Sequence, residues 1–400
     1  MRVVVSKRSV WSFLAVCINP VVGALFSLWS LISRSRPNHF AFALSLTIIY
    51  AYLPVTWDAR NNFFRIYANP EYGLNFYTSS LQALTAFLGV PYIVAVATIA
   101  FLIIYIFSRV IGAKLYARND YSNLRYFACL ALFLGCIEFR AVFDIQKTTL
   151  ALAFVLLAID VRDSSLRIAL FVLSALIHPF TIALAALVPI AYLVRQSGRP
   201  LLFIIFTIAT TFGLFFSPDR AVSLVSTIAP FSERAALYLL HTESRYSSDS
   251  IALLVWALRV FAVQVVAIAC ILQWKTAEDK RGRYLLNFLA GLCLLTLIFS
   301  RNEIFAERFF LAIIILSAYV AVVVKFRIKR LLMICAAILL NVGMHGMYTL
   351  RVVHSEGYNV IGSEAQRAEM TQKPFYFPTP LLLAVGSNGY SNAVIWDRAR

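Results

Sequence analysis

Apolar residues in this chain neither alternate at a strand period nor stripe one helix face. They come in near-continuous runs of about 17 to 23 residues, each long enough to cross a ~30 Å hydrocarbon core as a helix. Such runs recur along nearly the whole length. A bilayer makes each run satisfy its own backbone hydrogen bonds, so the pattern predicts an all-α, polytopic transmembrane bundle of about 12 spans and excludes a β-barrel. Two places refine the reading. Asn19-Pro20 marks the start of the first span. Leu166 to Val194 reads as two short spans broken at His178-Pro179, because proline ends a helix and forces the preceding residue out of the helical region.

Two segments depart from the long-run pattern. Phe76 to Leu88 is short and amphipathic, with Thr78, Ser79, Ser80, Gln82 and Thr85, and reads as a helix at the outer interface or a re-entrant element. Beyond Leu350 the chain turns polar and is dotted with Gly, Pro and Asn; its Leu381 to Val385 run is too short to span. The expected organisation is one transmembrane domain over residues 1–350 and an external tail over residues 351–400.

Composition agrees: 61% of the 400 residues are hydrophobic and 14% charged, far from a soluble globular mix. The net charge of +17 would suit a nucleic-acid partner only if it formed a separate patch. Instead the basic residues sit in alternate short loops, at Arg34 to Arg36, Arg109 to Arg125, Arg195 to Arg199, Lys275 to Arg283 and Lys325 to Arg330. That is the signature of cytoplasmic loops, so the charge encodes orientation and no nucleic acid is expected. Cys17, Cys129, Cys136, Cys270, Cys293 and Cys335 all lie in apolar runs, as packing residues rather than disulfide or zinc-site candidates.

Chemistry is therefore sought in the remaining loops, which should face outward. In the first, Trp57, Asp58, Arg60, Arg65 and Glu71 alternate with Tyr67, Tyr72 and Tyr77. Rings beside charges suit sugars, whose C–H faces stack on aromatics while hydroxyls take hydrogen bonds; an interfacial aromatic belt with surface ion pairs fits equally well. Next, Glu138, Arg140, Asp144 and Lys147 crowd one short hairpin, with Gln146 and Thr148 alongside. Arg140 and Lys147 could grip a phosphate, or snorkel beside the two acids. His178 stands at membrane depth beside a helix-breaking proline, where a polar residue is costly unless it works or is hydrogen-bonded. The residues 217–250 form a loop long enough for a lid. Arg259 lies inside a span and should face the bundle interior, towards substrate or an acid. Arg308 follows Glu307 into the next span. No nucleotide-binding glycine set, Asp-x-Asp pair or metal-ligand cluster is present, so neither metal nor cofactor is expected.

The order of these features resembles the EpsG and Wzy-type polysaccharide polymerases. The residues that carry the likeness are Asn19-Pro20 and Trp29, then Asp58 in an outer loop leading to Glu71-Tyr72-Gly73, then Lys147 before Thr148-Thr149-Leu150-Ala151. Ser174-Ala175-Leu176-Ile177-His178-Pro179 and Glu307-Arg308-Phe309-Phe310 complete it. One departure is that the family opens its span with Arg-Gln where this chain has Lys147-Thr148, which leaves both Lys147 and Arg140 as candidates. The resemblance implies a GT-C-like fold and a multi-pass enzyme of the bacterial inner membrane whose active site faces the periplasm, with a periplasmic tail. It would extend an O-antigen or exopolysaccharide by glycosyl transfer from one undecaprenyl-pyrophosphate-linked glycan to another. A chain-length regulator protein is a further expected partner. His178 is then the expected base, with Asp58 orienting or binding sugar. Arg140, Lys147, Arg259 and Arg308 would neutralise pyrophosphate, and Trp57, Arg60, Glu71 and Tyr72 would contact sugar. An O-antigen ligase would share this chemistry with a different acceptor. A lipid-linked oligosaccharide flippase or secondary transporter would instead want ionisable residues near the midplane.

Overall fold

The computed structural model describes residues 7–53, 62–63, 66, 76–194, 250–277, 279–300, 303–354 and 364–383. Among these every regular element is helical. In chain order the first are α1 (Lys7–Ile18), α2 (Pro20–Ile32), α3 (His39–Ala51), α4 (Phe76–Phe87) and α5 (Tyr92–Tyr116). There follow α6 (Asn123–Gly135), α7 (Gln146–Asp160), α8 (Ser164–Ile177), α9 (Thr181–Val194) and α10 (Ser250–Trp274). The last are α11 (Lys280–Ile298), α12 (Glu303–Val323), α13 (Ile328–His354), α14 (Glu364–Tyr376) and α15 (Thr379–Leu382).

Local chemistry fixes where these helices begin. Asn19, Asn38, Ser122, Asp163 and Asp279 each stand at an N-cap and accept a backbone N–H of the first turn through a side-chain oxygen, which satisfies donors the helix cannot. Asn19 is followed by Pro20 at the first helical position, as expected, although a further helix, α1, precedes it. At the other break, α8 stops at Ile177, and His178 is extended with φ −147° and ψ 113°, the conformation that a following proline imposes. α4 is the expected short amphipathic helix: Tyr77, Leu81 and Thr85 are buried at a spacing of four while Ser79 and Ser80 are exposed, one face in and one face out.

Among the described residues four helices are long and apolar enough to cross a membrane, namely Tyr92–Tyr116, Leu254–Trp274, Lys280–Ile298 and Ala306–Val323. Five further apolar helices among the described residues are shorter, including Pro20–Ile32, His39–Ala51 and Ser164–Ile177. About 12 spans were expected. The expected break at His178-Pro179 is present and leaves helices of 14 residues on either side, about 21 Å each at 1.5 Å per residue, while residues 195–249 are outside those described.

The chain divides into two compact units. The first, residues 1–121, 137–181 and 346–400, packs α1 on α2, α2 on α3, α3 on α5, α5 on α7 and α7 on α8. Its helices approach closely where residues are small: a Cβ on Gly23 would fall 2.5 Å from both Ser45 Oγ and a Val16 methyl, the small-residue packing typical of membrane helices. The last segment also docks here. Asn19 Nδ2 donates to the carbonyls of Pro374 (2.8 Å) and Phe377 (3.0 Å), Tyr52 donates to Leu382 O at 2.8 Å, and Thr379 Oγ1 donates to Val16 O. α13 runs from Ile328 to His354. The second unit, residues 122–136 and 182–345, is built around α12, whose residues from Ala306 to Val322 are almost all buried, with α6, α10 and α11 packed on it. Five of the six cysteines are buried, as packing residues should be, while Cys17 is exposed.

Candidate functional site

Of the residues singled out in the sequence, Trp57, Asp58, Arg60, Glu71 and Tyr72 lie outside the described residues, as do Arg301 and the lid candidate at 217–249. The others fall in two sets, one in each unit.

In the first unit, Arg140 opens a π-helical turn, Arg140–Asp144, and Lys147 lies in the first turn of α7. A π turn widens the helix by one residue and recurs at functional sites. Here it is pinned from below. Gln146, buried at the start of α7, accepts a hydrogen bond from Tyr77 Oη (2.7 Å) and donates to Val96 O (2.8 Å) and Val142 O (3.3 Å). Thr149 Oγ1 donates to Ala141 O. Tyr50 donates to Ile137 O at 2.5 Å and packs edge-on to Phe139, which stacks on Phe143. Three helices, α3, α4 and α5, thus hold the turn that carries Arg140. Both cations are half-buried. Gln146, which the sequence grouped with the charges of this hairpin, is a strut with its polar atoms engaged inside the protein.

His178 is half-buried at the C-terminus of α8. Its backbone is held on both sides: its N–H donates to Ser174 O (2.9 Å), and its carbonyl accepts from Thr181 N (3.1 Å) and Thr181 Oγ1 (2.9 Å). Ser174 Oγ in turn donates to Thr181 Oγ1 at 3.0 Å. Ser174 and Thr181 thus clasp the backbone N–H and carbonyl of His178 on either side of the break. The imidazole stands perpendicular to the Phe180 ring, with centroids 5.0 Å apart. Its Nδ1 accepts the Phe180 N–H at 3.3 Å. A neutral imidazole that accepts at Nδ1 carries its proton on Nε2, which is then a donor.

In the second unit, Arg259 is only 4% exposed on α10, as its place inside an apolar run required. Three neighbours surround it. Nε donates to Asn341 Oδ1 at 2.9 Å, a terminal nitrogen lies 3.7 Å from Glu307 Oε1, and the guanidinium sits 4.2 Å over the Phe310 ring. Trp256, one turn earlier, donates to Ser300 O at 2.7 Å and fixes α10 against the end of α11. Arg308 is half-buried on α12 beside Glu307. Asn341 was not among the sequence candidates. Its signal was there to find: it is a lone amide in the apolar stretch from Ile338 to Val342, and an intramembrane polar residue warrants a search for its partner.

Among the described residues, no three His, Cys, Asp or Glu side chains gather as metal ligands. What the two sets offer is positive charge and hydrogen-bond donors fixed by packed helices, which is the equipment for stabilising an anion that develops during a reaction.

Comparison with known proteins adds one match: a family model described as EpsG family covers residues 40–358, well over half of the 400-residue chain. It takes in every site candidate but excludes Asn19-Pro20 and Trp29, which therefore contribute nothing to the match. No curated protein and no solved structure matches the chain.

Proposed function

Because the chain belongs to the EpsG family, we propose that it is a polysaccharide polymerase of the bacterial inner membrane, joining undecaprenyl-pyrophosphate-linked repeat units at the periplasmic face. The observation that carries this reading is the family match across residues 40–358, on a chain whose described residues include four helices apolar enough to span a bilayer. A GT-C-like bundle of about 12 spans is part of the same proposal.

In the reaction, a terminal sugar hydroxyl of one lipid-linked glycan attacks the anomeric carbon of another. The bond from that carbon to the pyrophosphate oxygen breaks, the lipid pyrophosphate leaves with the electron pair, and the hydroxyl proton passes to a base. The leaving group needs cations more than it needs a proton. Arg140 and Lys147 in the first unit, and Arg259 and Arg308 in the second, are assigned to pyrophosphate; donor and acceptor lipids each bring one. His178 and Asp58 are the catalytic pair. The Phe180 N–H on Nδ1 favours the tautomer that donates from Nε2, so His178 is assigned to the pyrophosphate oxygen and Asp58 to the proton. This reverses the assignment favoured from sequence. Trp57, Arg60, Glu71 and Tyr72 contact sugar. A chain-length regulator is the proposed protein partner.

The test is the surface-glycan pattern of the source bacterium after deletion of this gene and complementation with wild type or His178→Ala. Loss of the ladder with one repeat unit retained is expected, restored by wild type and not by His178→Ala. Complete loss of repeat units would point to a ligase or flippase, and an unchanged pattern would overturn the proposal.

A further inference from the structure

Arg259 is a buried cation with more donors around it than acceptors. A guanidinium carries five N–H groups. Nε is engaged by Asn341 Oδ1 at 2.9 Å and one face by the Phe310 ring. Glu307 Oε1, at 3.7 Å from the nearest terminal nitrogen, is within ion-pair range but beyond a hydrogen bond. Asn341 adds to the excess. It is 1% exposed, and its Nδ2 is buried with no hydrogen-bond partner, a condition rare enough in native proteins to need an explanation. Oδ1 and Nδ2 share one carbon, so the idle amide N–H groups lie beside the guanidinium that Oδ1 holds. The guanidinium and the idle amide are therefore neighbours, and among the described residues the carboxylate that approaches the guanidinium, Glu307, does so loosely.

We propose that Arg259 and Asn341 form an anion subsite that takes a phosphate group, with Glu307 as the place-holder that the phosphate displaces from the guanidinium. A phosphate presents several oxygens, each able to accept more than one hydrogen bond, so it can meet the arginine fork and the amide together. Glu307 keeps Arg259 paired at membrane depth when no ligand is present, where a bare charge would be costly. The identity of the phosphate as a lipid-linked pyrophosphate rests on the polymerase reading; the subsite itself does not.

The test is equilibrium binding to the full-length protein in lipid nanodiscs, with two probes: inorganic pyrophosphate and a polyprenyl pyrophosphate lacking sugar. Asn341→Leu, which removes the idle donor, should weaken binding about tenfold, the effect of one hydrogen bond to a charged group. Glu307→Gln, which removes the competing charge, should tighten it several-fold. An affinity unchanged in either variant overturns the subsite, as does failure of wild type to bind both probes. Should Asn341→Leu not fold, Glu307→Gln decides alone. Tighter binding of the lipid than of the free ion supports a lipid source; equal affinities support recognition of the phosphate alone. A chain that binds in this way yet makes no polymer would retire the polymerase reading and keep the subsite, and the converse result would do the reverse.

Discussion

At the scale of single residues, two polar groups at membrane depth, His178 and Arg259, are each held by named neighbours. His178 is clasped by Ser174 and Thr181 and receives the Phe180 N–H on Nδ1. A donor at Nε2 and a base at Nε2 are opposite roles, and they respond differently to substitution. Glutamine can present an amide N–H in place of the imidazole N–H but cannot accept a proton near neutral pH. His178→Gln should therefore keep a measurable fraction of the polymer-forming rate, while His178→Ala loses about 10²-fold or more, the usual worth of one transition-state donor. Equal, complete loss in both variants, measured as initial rates at matched expression, would return the base role to His178. Asp58→Asn should abolish turnover. The position of His178 was legible in the sequence because proline announces itself. The ring's orientation was not, since it depends on a backbone N–H two residues along. Arg259 shows the same division: its burial followed from its place in an apolar run, whereas Asn341, 82 residues away in sequence, could be paired with it only in three dimensions.

Between residues and the whole chain, caps and struts decide where each helix begins and what it carries. Asn19 does both jobs, capping α2 through Oδ1 and holding the tail through Nδ2. Asn19→Ala should lower stability by about 1–2 kcal/mol for the cap alone, and it should raise hydrogen exchange across residues 374–383. A fall in stability with no change in exchange would show that the tail is held by Tyr52 and Thr379 instead. The polar tail gave no sign of this docking, because its bonds run from side chains to backbone carbonyls more than 300 residues away. Gln146 makes the reverse point. It was read among charges by its neighbours in sequence, yet it is a strut for the π turn at Arg140. Gln146→Leu would remove three hydrogen bonds, to Tyr77, Val96 and Val142, at about 1 kcal/mol each. Tyr77→Phe should cost less, about 1 kcal/mol. Thermal unfolding of the two variants in the same detergent checks the order, and a larger loss for Tyr77→Phe would contradict the strut.

Over the whole molecule, hydrophobic pattern was enough to predict an all-helical membrane chain, and the family match agrees with the resemblance drawn from its His-Pro and Glu-Arg-Phe-Phe motifs. The breaks at Asn19-Pro20 and His178-Pro179 were legible too, because proline and a capping asparagine mark them, and the helices beside them are 12 to 14 residues long. Such pieces span only in combination. The central claim is a reaction, so its most direct test is reconstitution: the purified full-length protein in liposomes, supplied with the lipid-pyrophosphate-linked repeat unit of its source and no nucleotide sugar. The account predicts a ladder of glycans increasing by whole repeat units, with release of free lipid pyrophosphate at one equivalent per bond formed. Repeat units that remain single while being moved across the bilayer would contradict it and identify a transporter.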